Sequence, residues 1–444
     1  MTFLRFKLEQ SDKEFYTSTS GLALVGVALN RFTTLVPRTD KAAPKRGIAT
    51  SDVLRSYLGL LCQGKSDFAA IRPFFEDDEF FRHSLGLTKV PSAETLRQRL
   101  DEFADILRVM VETSMVDFLK KSQAQLTPLE TGHMPLDLDV FTLDNSDTKK
   151  EGVSYTYRGF NGYAPMGVWL GIEGWCLEIE LRHGSQHAQH DFIPLLRRSI
   201  YKSRQLTDKP LLVRLDSAHD AVATLATLLE EGVDFIVKWN PRKTDVPIKA
   251  TEVFYHGKTV HQDETCRVAI MTETTLRTYQ DEDGNDKTIR VRRVVRATER
   301  YVDRHGQRLL VPDREIEGWW TNLTVAKDKV IELYKGHALC EQYHSELKTD
   351  LDLERLPSGK FATNALVMSC SGLAYNLIGQ VGLMDKKQAR RAKQRRRLKT
   401  VLQDLMYFAA RMIRHGHGLT LRFSYHATWQ ARAFIKTYEH FAYG

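Results

Sequence analysis

The stretch HMPLDLDVFTLDNSD, residues 133–147, changes the period of the chain. From residue 15 to about 130 apolar residues recur at helical intervals. Here, instead, Leu136, Leu138 and Val140 fall on one side while Asp137, Asp139 and Phe141 fall on the other. Period two predicts a strand. GYAPMGVWLG (162–171) and GWCLEIELRHG (174–184) predict two more strands joined by a tight turn. A helical pattern, DFIPLLRRSIYKSRQ (191–205), then leads into the apolar run PLLVRLD (210–216), the helix AHDAVATLATLLEEG (218–232) and the strand DFIVKWN (234–240). The order β-β-β-α-β-α-β predicts a mixed α/β domain.

Upstream, SDVLRSYLGLLCQG (51–64) opens on Ser51 as a helix N-cap and stops at Gly64. The helix that Ser92 opens resembles the second helix of a helix-turn-helix, with Thr95, Arg97, Gln98 and Arg99 placed for a DNA groove, although an ordinary helical bundle explains it equally well. Downstream, RVAIMTET (267–274), TIRVRRVVRATER (288–300) and QRLLVPD (307–313) read as strands, with the turn-like QDEDGND (280–286) between the first two. Residues 241–321 are therefore expected to be a β-rich insertion. Within 385–444, Arg390, Arg391, Arg395 and Arg396 belong to a crowded basic run, and VLQDLMYFAARMIRHG (401–416) after it predicts an amphipathic helix.

The formal net charge of +8 favours a polyanionic partner, nucleic acid before membrane. With 42% hydrophobic and 27% charged residues, wholesale disorder is excluded. Five cysteines without a CxxC or CxxH pair argue against a zinc module or a disulfide framework and fit a reducing cytoplasm. Charges near the N-terminus argue against a secretory signal. The longest apolar run, Asn364–Met384, is broken by Asn376 and Gln380 and is expected to be a buried helix.

YKGHALCEQYHSELK, residues 334–348, sets Tyr334, His337, Glu341 and Lys348 on one helical face at gaps of three, four and seven. Leu333, Cys340, Leu347 and Leu351 form an adjoining apolar stripe, while Glu346 points away from the polar face. The spacing resembles the Y-(2)-R-(3)-E-(6)-K signature of insertion-sequence-4-like transposases, with His337 in the arginine's place. Through ELKTDLDLERLPSGKFATNAL (346–366) it is similar to the insertion sequence 1380 family of bacterial DDE transposases, and the likeness spans roughly residues 130–380.

That resemblance implies a ribonuclease-H-like core in two parts, 131–240 and 322–384, interrupted by the insertion at 241–321. Helical DNA-binding regions would flank it at 1–130 and 385–444. It implies an enzyme that binds terminal inverted repeats, hydrolyses phosphodiester bonds and transfers strands to target DNA, as a homodimer at synapsis in the bacterial cytoplasm. VRLDSAHD (213–220) resembles the family's second-aspartate motif and LDLDVFTLDNS (136–146) its first, so the implied catalytic and metal ligands are Asp139, Asp216 and Glu341, holding two Mg2+ or Mn2+ ions. Asp137 shares the strand face of Asp139 and stays an alternative. Tyr334, His337 and Lys348 are implied DNA contacts. Trp239, Arg242, Lys243, Trp319 and Trp320 set aromatic faces beside cations, as base-stacking sites do, and buried core tryptophans are the plainer reading. If Trp319 and Trp320 share a strand, only one of them is expected to face inward. Arg390, Arg391, Arg395 and Arg396 are expected at phosphates. A nuclease of the same core and a DNA-binding repressor remain alternatives.

Overall fold

A computed structural model describes residues 15–44, 46–75, 79–280, 283–383, 395–416 and 418–444. They divide into two compact units. One holds the described residues within 125–147 and 152–344, the other those within 1–124, 148–151 and 345–444.

The first unit is built on a nine-stranded mixed sheet. In chain order its strands are β1 (Met134–Val140), β2 (Met166–Leu170), β3 (Trp175–Glu180), β4 (Leu211–Leu215), β5 (Asp234–Lys238), β6 (Lys258–Gln262), β7 (Cys266–Gln280), β8 (Asp286–Val302) and β9 (Arg308–Thr321). Across the sheet they run β6-β7-β8-β9-β5-β4-β1-β2-β3. β1 is antiparallel to β2 and parallel to β4, and β4 is parallel to β5. Two helices make the parallel crossovers, α1 (Phe192–Arg204) before β4 and α2 (Val222–Glu230) before β5. Parallel strands covered on both faces read as continuous apolar runs, which accounts for LLVRL in β4. Arg214 is its exception, opposite Asp137 of β1 in the register.

The strands of the expected insertion do not stand apart. β9 pairs antiparallel with β5, Trp319 opposite Lys238, and so joins β6–β9 to the same sheet. The helix α3 (Val246–His256), which the sequence reading did not place, packs Ala250 and Val253 against Ala269, Met271, Val295, Ala297 and Ile316. On the other face, α4 (Lys327–Lys335) packs Val330, Ile331 and Leu333 with Ile236, Ile270, Val294 and Trp319. Both faces of the sheet are therefore covered at β9. Trp319 and Trp320 point to opposite sides and are still only 2% and 3% exposed, which corrects the expectation that one alone faces inward.

The second unit is mostly helical. Its helices include Thr50–Leu61, Ala93–Glu102, Ala104–Lys121, Phe361–Leu383 and Thr428–Tyr443. Ser92 caps the helix Ala93–Glu102 through the N–H of Thr95, 3.2 Å away, as expected. Arg99 departs from its expected place in a groove: it is buried and donates to Ile48 O and Thr50 Oγ1, both at 3.0 Å. Phe361–Leu383 is long and apolar enough to cross a membrane, and 94% of its most apolar window is buried.

The helix expected over residues 401–416 ends early. Helical backbone stops at Met406, and Ala410–His415 pairs as a strand with Phe15–Thr17 and Gly418–Phe423. Pairing between distant segments overrides local helical periodicity here.

Candidate active site

The sequence sets Asp137 and Asp139 on one face of β1, and the fold gives them different surroundings. Asp137 is buried and fully engaged: Arg214 donates through Nε to Oδ1 at 2.7 Å and through Nη2 to Oδ2 at 2.5 Å, and His337 Nδ1 lies 2.9 Å from Oδ1. Burial alone would raise its carboxyl, but Arg214 and the His337 hydrogen bond outweigh it and hold the pKa below the usual carboxylate value. Arg214 also donates through Nη1 to Leu333 O at 2.8 Å, fastening β4 to the last turn of α4. Gly336 makes room for this, since a Cβ there would stand 2.3 Å from Arg214 Nη1.

Asp139 lies two residues on and has no such clamp. Its side chain is 20% exposed, and His344 Nδ1 stands 3.9 Å from Oδ2. Burial pushes its carboxyl up to about 7; the His337 charge opposes this and the charge of Asp216 adds to it. Asp216 follows β4 and caps the short turn Ser217–His219, accepting from Ala218 N at 3.1 Å, with 40% of its side chain exposed. Burial raises it too, against His337. Two acids on adjacent parallel strands, both driven towards protonation and one raised by the other's charge, form a donor set that a divalent cation would relieve. The residues present therefore fit a hard, oxygen-seeking ion.

The signature stretch is helical throughout, in successive segments. α4 ends after Tyr334, a tight turn spans Gly336–Ala338, α5 runs Leu339–Ser345, and a wide turn covers Glu346–Asp350. Glu341 is exposed in the first turn of α5. It stands four residues after His337, which lies in the tight turn, and three before His344 of the same helix. His337 touches Asp137 and His344 approaches Asp139, so the residues on either side of Glu341 meet β1. Tyr334 is half-buried against His337, with ring centres 5.5 Å apart. Burial, with the charges of Asp216 and Asp139, raises its phenol well above the ordinary value, so it remains a hydrogen-bond donor. Lys348 belongs to the other unit, where it pairs with Glu354 at 3.3 Å.

Several of the expected DNA contacts have partners within the protein. Arg293 lies over Trp239 at 4.1 Å and over Trp320 at 4.7 Å, and Arg277 covers Trp320 at 4.8 Å, itself anchored on Asp220 at 3.0 Å. Trp319 lies in the core with Arg296 at 5.8 Å. These rings stack on the protein's own arginines rather than offering open faces. Arg242 and Lys243 are exposed. Arg395 is 6% exposed, ion-paired with the buried Glu346 and 4.4 Å from the Tyr375 ring centre, so it is placed as a core residue. Arg396 pairs with Asp404. Arg390 and Arg391 lie outside the described residues.

Sequence reasoning missed Arg214, His344 and His219. Arg214 had a signal, a charge inside an apolar parallel strand. His219 is buried, stacked on Phe192 at 4.0 Å and 3.7 Å from Asp216; burial lowers it to about 3, so it is neutral. Two clusters of histidine, cysteine and aspartate are also present, each with its histidine and cysteine close together in the chain. Among the described residues, donor atoms of Asp137, His337 and Cys340, and of the more open His261, Asp263 and Cys266, lie within 4.8 Å of one another.

A family model described as transposase DDE domain group 1 matches residues 48–441. A solved piggyBac transposase synaptic complex with hairpin DNA is similar at 12% identity and a TM-score of 0.42, over 87% of this chain and 79% of that one. No curated protein sequence matches the chain.

Proposed function

This chain belongs to the DDE transposase family, the metal-dependent enzymes that cut DNA and transfer its strands, and we propose that it mobilises a bacterial insertion sequence. We place the element in the insertion-sequence-4-like superfamily and the insertion sequence 1380 family, on the spacing of Tyr334, Glu341 and Lys348. The observation that carries the proposal is that Asp139, and Asp216 at the end of the adjacent parallel strand, lie with His337 and His344, the residues four before and three after Glu341 in the signature stretch. The run β3-β2-β1-β4-β5, with β1, β4 and β5 parallel, supports a ribonuclease-H-like core.

Asp139, Asp216 and Glu341 would hold Mg2+ or Mn2+, two ions per site. Bound there, the ions would activate the attacking water or hydroxyl and stabilise the leaving oxygen. Full engagement of Asp137 by Arg214 and His337 favours Asp139 as the β1 ligand. Tyr334, a protonated phenol beside these acids, would donate to a DNA phosphate. Arg242, Lys243, Lys348 and Arg396 would meet backbone phosphates of terminal repeats and target DNA. Bringing two ends together calls for a homodimer, working in the bacterial cytoplasm.

A cleavage and joining assay on labelled terminal-repeat DNA tests this, with Mg2+ or Mn2+ and with Asp139→Asn and Glu341→Gln as variants. Both variants are expected to lose cutting and joining while still binding the repeat. Cutting without joining would replace the transposase by a nuclease, and binding without cutting by a repressor.

A further inference from the structure

We propose that His337 is itself a ligand of the divalent metal, through Nε2, and that Asp137 and Arg214 hold its ring for that task. The inference rests on the metal-dependent reading above and deepens it. His337 is 7% exposed, and its Nδ1 lies 2.9 Å from Asp137 Oδ1. Asp137 also accepts two hydrogen bonds from Arg214, one on each carboxylate oxygen, so its contact with His337 draws the hydrogen from the ring. The hydrogen of the contact must sit on Nδ1. Nε2, the ring's other nitrogen, is directed away from Asp137 and would hold the metal in place of a proton.

Nε2 is buried and has no hydrogen-bond partner among the described residues. A buried imidazole nitrogen left unmatched is costly, and a ligand would satisfy it. An imidazole whose other nitrogen donates to a fixed carboxylate is the recurrent arrangement of a metal-bound histidine. Arg214 completes the support, because both oxygens of Asp137 are taken and Nη1 ties the guanidinium to Leu333 O at 2.8 Å. Asp137 is thus fixed where it orients the ring and does not itself turn to the ion.

Two consequences follow for this chain. Arginine, found at this position in the signature that residues 334–348 resemble, has no lone pair and cannot ligate. Adding an imidazole nitrogen to carboxylate oxygens softens the donor set, so Mn2+ should be preferred to Mg2+ by more than an all-oxygen site would allow.

The test is Mn2+ binding to the full chain without DNA, followed by titration and by electron spin echo spectroscopy, which reads imidazole nitrogen on the ion. His337→Asn keeps an amide donor near the Nδ1 position and removes Nε2. It is expected to lose imidazole modulation, to bind Mn2+ at least about tenfold more weakly, and to narrow the Mn2+ over Mg2+ preference. His337→Gln, which brings an amide oxygen near the Nε2 position, is the second variant should the first fail to fold. It is expected to lose the imidazole modulation while keeping part of the affinity. Binding lost in Asp139→Asn but unchanged, modulation included, in a folded His337 variant would overturn the ligand and leave the transposase reading intact. Mn2+ binding absent from the wild-type chain would overturn both.

Discussion

Asp137 and Asp139 stand two residues apart on one strand face, yet their amides should move stability in opposite directions. Asp137→Asn leaves the Arg214 guanidinium, only 3% exposed, without its counter-charge. Removing one partner of a buried pair costs about 3–5 kcal/mol. The amide keeps one acceptor oxygen, so the lower half of that range is expected. In a folding unit of roughly 150–250 residues each kcal/mol lowers the melting temperature by about 2–4 °C, giving a fall of roughly 6–16 °C. Asp139→Asn instead removes a charge that burial and Asp216 already oppose, since its carboxyl is pushed up to about 7. Its melting temperature at neutral pH, without divalent metal, should equal or exceed that of the wild type. Scanning fluorimetry of both variants beside the wild type reads the two signs directly. A fall in Asp139→Asn as large as in Asp137→Asn, or an Asp137→Asn melting within about 2 °C of the wild type, would refute these roles.

Glu346→Gln should also destabilise, by about 3–5 kcal/mol, because Arg395 is left buried without its partner; denaturant titration measures it, and Mn2+ affinity should stay unchanged. Gly336→Ala drives a methyl to within 2.3 Å of Arg214 Nη1 and should lower stability by about 1–3 kcal/mol in the same titration, despite alanine's better helix propensity. Glu178 supplies a pH dependence. Burial alone would raise its carboxyl, but Lys202 and Arg198 outweigh that and hold it below its ordinary value. The stability it contributes is therefore full above the unfolded carboxylate pKa, near about 4.3, and is lost as pH falls through the lower folded value. Melting curves of Glu178→Gln and wild type should converge as pH drops through that window, and a gap that stays constant would refute the assignment.

Much of the fold and of the candidate site was legible in local pattern. Alternation in residues 133–147 placed β1 and set Asp137 and Asp139 on one face, the apolar run before Asp216 placed β4, and helical spacing aligned Tyr334, His337 and Glu341. These depend only on periods of two and 3.6, which the backbone imposes wherever it folds. Pairing between distant residues was not legible. Nothing local separates Asp137 from Asp139 until Arg214, opposite in the register of a parallel neighbour, claims the first and leaves the second to Asp216 and His344. The same holds for Arg395, one cation of a basic run until Glu346 buries it, for Trp320, one stacking candidate until Arg277 and Arg293 cover it, and for Ala410–His415, helical by period until Phe15–Thr17 pairs with it. Sequence alone determined which face of each element carries acid, base or ring. Tertiary structure decided which of those groups spend their charge on one another and which are left for a ligand, because partners are chosen by distance in space and the chain records only distance along itself.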